Sequence, residues 1–375
     1  MKIIYYSSAK IPSSEANSIH IVKMCQAYVE NNCDVELIAP DYKGLILEEP
    51  YSFYGVKRFF NIKKLPWRNI KGKAYIYAFE AALYVKKQKV DFAYGRDINI
   101  AYFLSFLTDV GFALELHQPI TQKRQIRFFK KIICSKNCKG LVVISENLKK
   151  YFMETYSIPE NRIFVAHDGA DICEKVDSDV ELINNENTCF NVGYIGHLYK
   201  GKGMEIVSQI IPKMPMCSFH IVGGRDEDVE KWKKELESYN NVHFYGFVPH
   251  SKTIDYGMKF DVVLAPYLKE VYGVGASSDE NNNLSNWMSP LKIFEYMSMG
   301  KTIICTNLSV LKEILKNMET GILCDADNID EWVNAIEKCM KDLDMCKKIG
   351  ENAKVLFEAK YTWQIRAKNI LENFF

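Results

Sequence analysis

At 375 residues, with 48% hydrophobic and 25% charged residues and a net charge of +1, the chain has ordinary globular composition and length for two cores. It lacks any uncharged apolar run of roughly eighteen residues and enters strand-like sequence at Lys2, which argues against a membrane span or a signal peptide. Its eleven scattered cysteines form no C-x-x-C pair, which points to packed thiols in a reducing cytoplasm rather than disulfides or zinc.

The first half alternates short apolar runs with helical periodicity. Strands are expected at 2–7, 35–39, 91–94, 112–116 and 140–144, and helices at 18–31, 74–88, 98–108, 121–135 and 146–155. That alternation predicts a parallel, doubly wound sheet. Residues 1–170 hold 25 Lys and Arg against 16 Asp and Glu, a balance of +9 that leaves −8 for the remainder. The cations concentrate in 57–89, beginning with Lys57 and Arg58, and in 123–139, interleaved with Phe59, Phe60, Trp67, Phe128 and Phe129. Such a mixture suits an anionic membrane surface or lipid-linked ligand, and a solvated lysine face is the plainer account. No nucleic-acid motif accompanies the charge.

A polar stretch after 167–171, running to Asn187, is the expected hinge. The rhythm then restarts, with strands at 190–195, 218–222, 242–245, 261–265 and 302–305 and helices at 203–212, 228–238, 290–299 and 309–316. A tail with helical pattern throughout follows from 330. Two doubly wound domains in tandem are expected, with function at strand C-terminal ends and in the cleft between them. The long irregular loop 268–288, with Gly273, Gly275 and Ser277, has the length of a functional or mobile segment.

Two segments of the second half carry chemistry. Ser289-Pro290-Leu291-Lys292-Ile293-Phe294-Glu295-Tyr296-Met297 reads as a helix with Ser289 as N-cap and Pro290 first inside. Lys292 in its first turn opposes the helix dipole. Either Lys292 pairs with Glu295, in the poorer orientation for an i,i+3 pair, or an anion sits there. Glu295, one turn deeper, suits a ribose diol. In Gly196-His197-Leu198-Tyr199-Lys200-Gly201-Lys202-Gly203 the glycines admit a ligand close to the backbone while His197, Lys200 and Lys202 supply positive charge. Three D-x-D triplets, at Asp177, Asp226 and Asp325, could hold a metal-bound diphosphate, but loops and helix caps, with Asp226 at an N-cap position, account for them better.

Taken together, G-x-L-x-x-x-K-G after the first strand of the second domain and S-P-L-K-x-x-E-Y-M about ninety residues on resemble a GT-B glycosyltransferase of family 4. The resemblance implies an α/β fold of two tandem Rossmann-like doubly wound domains. Domain 1–172 would bind the acceptor, domain 173–361 the donor, and a helix at about 362–375 would pack back on the first. It implies a retaining, metal-independent transferase working in cell-surface glycan synthesis, with no cofactor. The partners implied are a nucleotide-diphosphate sugar, a saccharide or lipid-linked saccharide acceptor, and an anionic membrane as peripheral contact, without nucleic acid; the location implied is cytoplasmic. Position by position, Lys202 and Lys292 match the cations on the donor diphosphate, Glu295 the ribose ligand, Phe247 and Val248 the base contacts, and His117 a histidine facing the donor sugar. Gly196, His197, Ser289, Pro290 and Leu291 complete the donor-binding set. The chain departs from the family at Trp287, where an E-x7-E motif has its first Glu, at His197, where an Arg is usual, and at Glu15-Ala16, where a Gly pair is common. A non-catalytic GT-B nucleotide-sugar-binding subunit and a GT-B sugar-nucleotide epimerase are the alternatives.

Overall fold

The computed structural model describes every residue except 14, 43–48, 57–58, 175–179, 184–189 and 273–279, so Lys57, Arg58, Asp177, Asp179, Asn187, Gly273, Gly275 and Ser277 lie outside the described residues. The chain divides into two compact units, Met1–Asp168 with Trp363–Phe375, and Gly169–Thr362.

The first unit carries seven strands: β1 Lys2–Tyr6, β2 Asp34–Asp41, β3 Asn61–Pro66, β4 Phe92–Gly95, β5 Phe112–Leu116, β6 Cys138–Val143 and β7 Ile163–Val165. They pair in the order β3-β2-β1-β4-β5-β6-β7, all in parallel. The inner strands are buried on both faces, which is why they read as continuous apolar runs rather than alternating ones. Edge strand β3 was not legible in the sequence, because only Leu65 of its six residues is buried.

The second unit repeats the plan with β8 Phe190–Ile195, β9 Cys217–Val222, β10 Val242–Gly246, β11 Val262–Ala265, β12 Thr302–Thr306 and β13 Ile322–Cys324, in the parallel order β10-β9-β8-β11-β12-β13. In each sheet the order reverses beside its first strand, at β1/β4 and at β8/β11. The loops that leave these strands' C-terminal ends are where such sheets bind ligands.

Two helix starts correct the sequence reading. Pro290, with ψ 125°, is the extended N-cap residue and the helix runs Leu291–Ser298, so Ser289 lies buried just before the cap. The chain turns one residue later than expected because the Pro290 carbonyl accepts the first helical bond, from Ile293. Asp226 is the first helical residue after Arg225 rather than a cap. Among the described residues every cysteine is free and all but Cys134 are buried.

Candidate functional site

In the second unit, the chain leaving β8 turns sharply at Gly196, whose φ of +145° favours glycine, and a Cβ there would come within 3.0 Å of the Lys292 ammonium. The Tyr194 hydroxyl shares its hydrogen between the carbonyls of His197 (2.6 Å) and Lys202 (3.0 Å) and so fixes the turn. Lys292, second in its helix, lies 4.0 Å over the Tyr194 ring and 5.2 Å from that of Tyr267. Lys202 lies 5.4 Å from the same Tyr267 ring and 5.3 Å from Tyr199. Two lysines ninety positions apart in sequence thus share one aromatic cage.

The cage does not neutralise them. Lys292 Nζ is buried and has no hydrogen-bond partner among the described residues. Burial, then the nearby Lys202, hold its pKa well below the usual lysine range, with Glu295 offsetting part of the effect. Burial brings Lys202 down to about 8. Both lysines are half-buried, and two ammonium groups so placed repel each other. Such a pair gains from an anion that approaches through the space left by Gly196.

Glu295 Oε1 accepts a hydrogen bond from His250 Nε2 at 2.7 Å. His250 opens the helix His250–Lys259, which the sequence reading did not include. His197 is exposed, Phe247 is 65% exposed, and Val248 packs against the core under the Leu291–Ser298 helix. The described D-x-D triplets have other roles: Asp226 and Asp228 fill a helix first turn, while Asp325 and Asp327 pair with Lys269 at 3.0 and 2.5 Å.

In the first unit, His117 follows β5 and its Nε2 donates to Glu115 Oε1 at 2.6 Å. That oxygen also accepts from Arg366 Nη2 at 2.8 Å, with His20 Nε2 at 3.1 Å, and Oε2 takes the Tyr94 hydroxyl. Arg366 comes from the C-terminal helix Trp363–Phe374 and also donates to the His167 and Ala166 carbonyls. Asp168 Oδ1 is 3.3 Å from His20 Nε2. Burial alone would raise the Glu115 pKa, but Arg366 first and the two histidines next take it well below the carboxylate range. Burial, then Arg96, bring His117 down to about 4, so its ring is neutral at pH 7. His20, Glu115, His117 and Asp168 are close enough to surround a cation, and the Arg366 guanidinium already supplies one to Glu115.

The residue pattern led to Lys202, Lys292 and Glu295, and the family resemblance added His117. Tyr194, Tyr267, His250, Glu115 and Arg366 were missed. A signal for Arg366 existed: it shares the buried stripe of Trp363, Ala367 and Ile370, where a cation requires a partner. Glu115 likewise interrupts an apolar strand.

A family model described as "Glycosyltransferase Family 4" matches residues 18–173, and one described as "Glycosyl transferases group 1" matches 189–342. An uncharacterised glycosyltransferase of Methanocaldococcus jannaschii is 25% identical over 62% of this chain and 57% of its own length. A D-inositol 3-phosphate glycosyltransferase of Corynebacterium urealyticum is 23% identical over 58% of this chain and 52% of its own. The matched stretch therefore spans little more than half the length of these relatives. Among solved structures, HepE of Anabaena in complex with UDP superimposes with TM-score 0.72 at 14% identity, covering 99% of each chain. A glycosyltransferase from Rickettsia africae gives 0.75 at 16% identity, covering 100% of this chain and 97% of the other.

Proposed function

The chain belongs to the family 4 glycosyltransferases of the GT-B fold, and on that premise we propose that it is a retaining, metal-independent transferase moving a sugar from a nucleotide-diphosphate sugar to a saccharide or lipid-linked saccharide. The observation that carries this reading is the Lys202–Lys292 pair, two half-buried cations around Tyr267. A diphosphate seated there gains charge as the glycosidic bond breaks, so the pair favours the transition state over the ground state. Glu295 holds the ribose diol, and Phe247 and Val248 meet the base. Gly196, His197, Ser289, Pro290 and Leu291 form the backbone wall.

His117, a neutral ring of the first unit, is the residue assigned to sugar recognition. In front-face substitution the leaving phosphate takes the acceptor hydroxyl's proton, so no carboxylate nucleophile is required. The acceptor binds the first unit. Its helices Lys73–Lys87, Ile98–Leu107 and Lys123–Ile133 pack side by side. They expose Arg124, Arg127, Lys130 and Lys131 together with Phe79 and Phe106. That surface supports a lipid-linked acceptor in cell-surface glycan synthesis, reached from the cytoplasmic side at an anionic membrane. No helix among the described residues is long and apolar enough to cross a membrane.

A thermal-shift screen of nucleotide sugars, followed by transfer with the best binder, tests the proposal. Stabilisation by one nucleotide class with sugar transfer is expected. Binding without transfer to any acceptor favours the non-catalytic reading, to which Trp287 and exposed His197 lend weight.

A further inference from the structure

Four members of the first unit's cluster are sealed from water: side-chain exposure is 0% for Glu115, 2% for His20 and Arg366 and 8% for Asp168. His117 is the member that reaches solvent, at 17%. Glu115 Oε1 faces three nitrogens, of His117, Arg366 and His20, and Oε2 accepts the Tyr94 hydroxyl. The Arg366 guanidinium on Oε1 holds Glu115 as a carboxylate, and even a proton on Oε2, given to the Tyr94 oxygen, would leave Oε1 an acceptor. His117 Nε2 must therefore carry the hydrogen in their 2.6 Å bond. In a neutral ring this leaves a bare lone pair on Nδ1, the ring nitrogen that Glu115 does not occupy.

We propose that Glu115 is the positioning residue of His117, fixing it as the Nε2–H tautomer so that Nδ1 accepts a hydrogen bond from a hydroxyl of the bound sugar or acceptor. Arg366, brought by the C-terminal helix from 251 positions away, holds Glu115 in that role. Arg366 is in turn fixed by the His167 and Ala166 carbonyls, so the carboxylate has little freedom to follow another donor. The last helix is then a working part of the first unit's site. The inference rests on the reading that His117 meets the reacting sugar.

The test is a long-range ¹H–¹⁵N spectrum of the full chain labelled with ¹⁵N-histidine, at pH 7. The signal missing from His117→Gln assigns the ring. The expected wild-type signature is a neutral His117 protonated at Nε2. Glu115→Gln and Arg366→Met should mix the tautomers and lower kcat about tenfold or more, as when an orienting carboxylate is lost, with donor KM within roughly twofold. Glu115→Gln/Arg366→Met removes both buried charges together, so it keeps the measurement open if either single variant fails to fold. An Nδ1–H tautomer, a charged ring, a metal-type shift on adding zinc, or Glu115→Gln with unchanged tautomer and turnover overturns the proposal. Full turnover in His117→Gln, with the tautomer as stated, strikes instead at the reading that His117 meets the sugar.

Discussion

Replacing Lys202 by Met should stabilise the free protein while disabling it. Burial holds the ammonium at about 8 instead of 10.5, a difference that corresponds to about 3 kcal/mol of penalty on the charged form. The rings of Tyr199 and Tyr267, at 5.3 and 5.4 Å, return about 1 kcal/mol through cation–π attraction. A net gain of about 2 kcal/mol at pH 7 follows for Met, which fills similar volume without charge. The folded-state pKa lies below the unfolded one, so between pH 8 and 10.5 the unfolded chain binds more protons. The wild-type penalty is therefore complete below pH 8 and fades toward pH 10.5, and the advantage of Met should fade with it. Calorimetry from pH 7 to 10, following the transition that responds to added nucleotide, reads this as about 4–8 °C at pH 7. Transfer should fall on the order of 10²-fold. A variant no more stable at pH 7, or a difference that does not change with pH, refutes the reasoning.

Glu295→Gln should weaken nucleoside diphosphate and nucleotide sugar alike by about 1.5–3 kcal/mol, measured by calorimetric titration, because a charge-assisted bond to the ribose is lost. Its effect on the unliganded midpoint should be small, since the Glu295–His250 pair is partly exposed, with side chains at 20% and 39%. Turnover should survive excess EDTA, and loss restored by Mn²⁺ and abolished by Asp226→Ala would revive the D-x-D site. Reversing Arg127, Lys130 and Lys131 to Glu should weaken binding to anionic vesicles by about 1 kcal/mol per charge, with less effect at high salt. Lys64 is unsuitable for that series, because its ammonium is tied to the Ile11 carbonyl.

The sequence made the inner strands and the motif helix legible because their signals are local: continuous apolar runs and a proline at the helix start. Edge strand β3 is mostly exposed, and the helix His250–Lys259 has no side-chain cap, so neither carried a clear local signal. Lys202 and Lys292 could be singled out, but not their burial, which Tyr194 and Tyr267 impose from other strand ends. The hub of His20, Glu115, Asp168 and Arg366 spans most of the chain. Its members were visible only as polar residues at apolar positions, and the topology alone brings them together.

The central claim is that Lys202 and Lys292 wait for a diphosphate. Calorimetric titration of Lys292→Met and wild type with a panel of nucleoside diphosphates tests it most directly, because binding is read apart from any acceptor. Run at pH 8 in two buffers of different ionisation enthalpy, the wild type should bind one member with net proton uptake, since the anion raises depressed lysine pKa values. Lys292→Met should bind it at least about tenfold more weakly, the cost of a lost charged contact, and take up less proton. Equal affinity and equal proton uptake in both proteins would contradict the account.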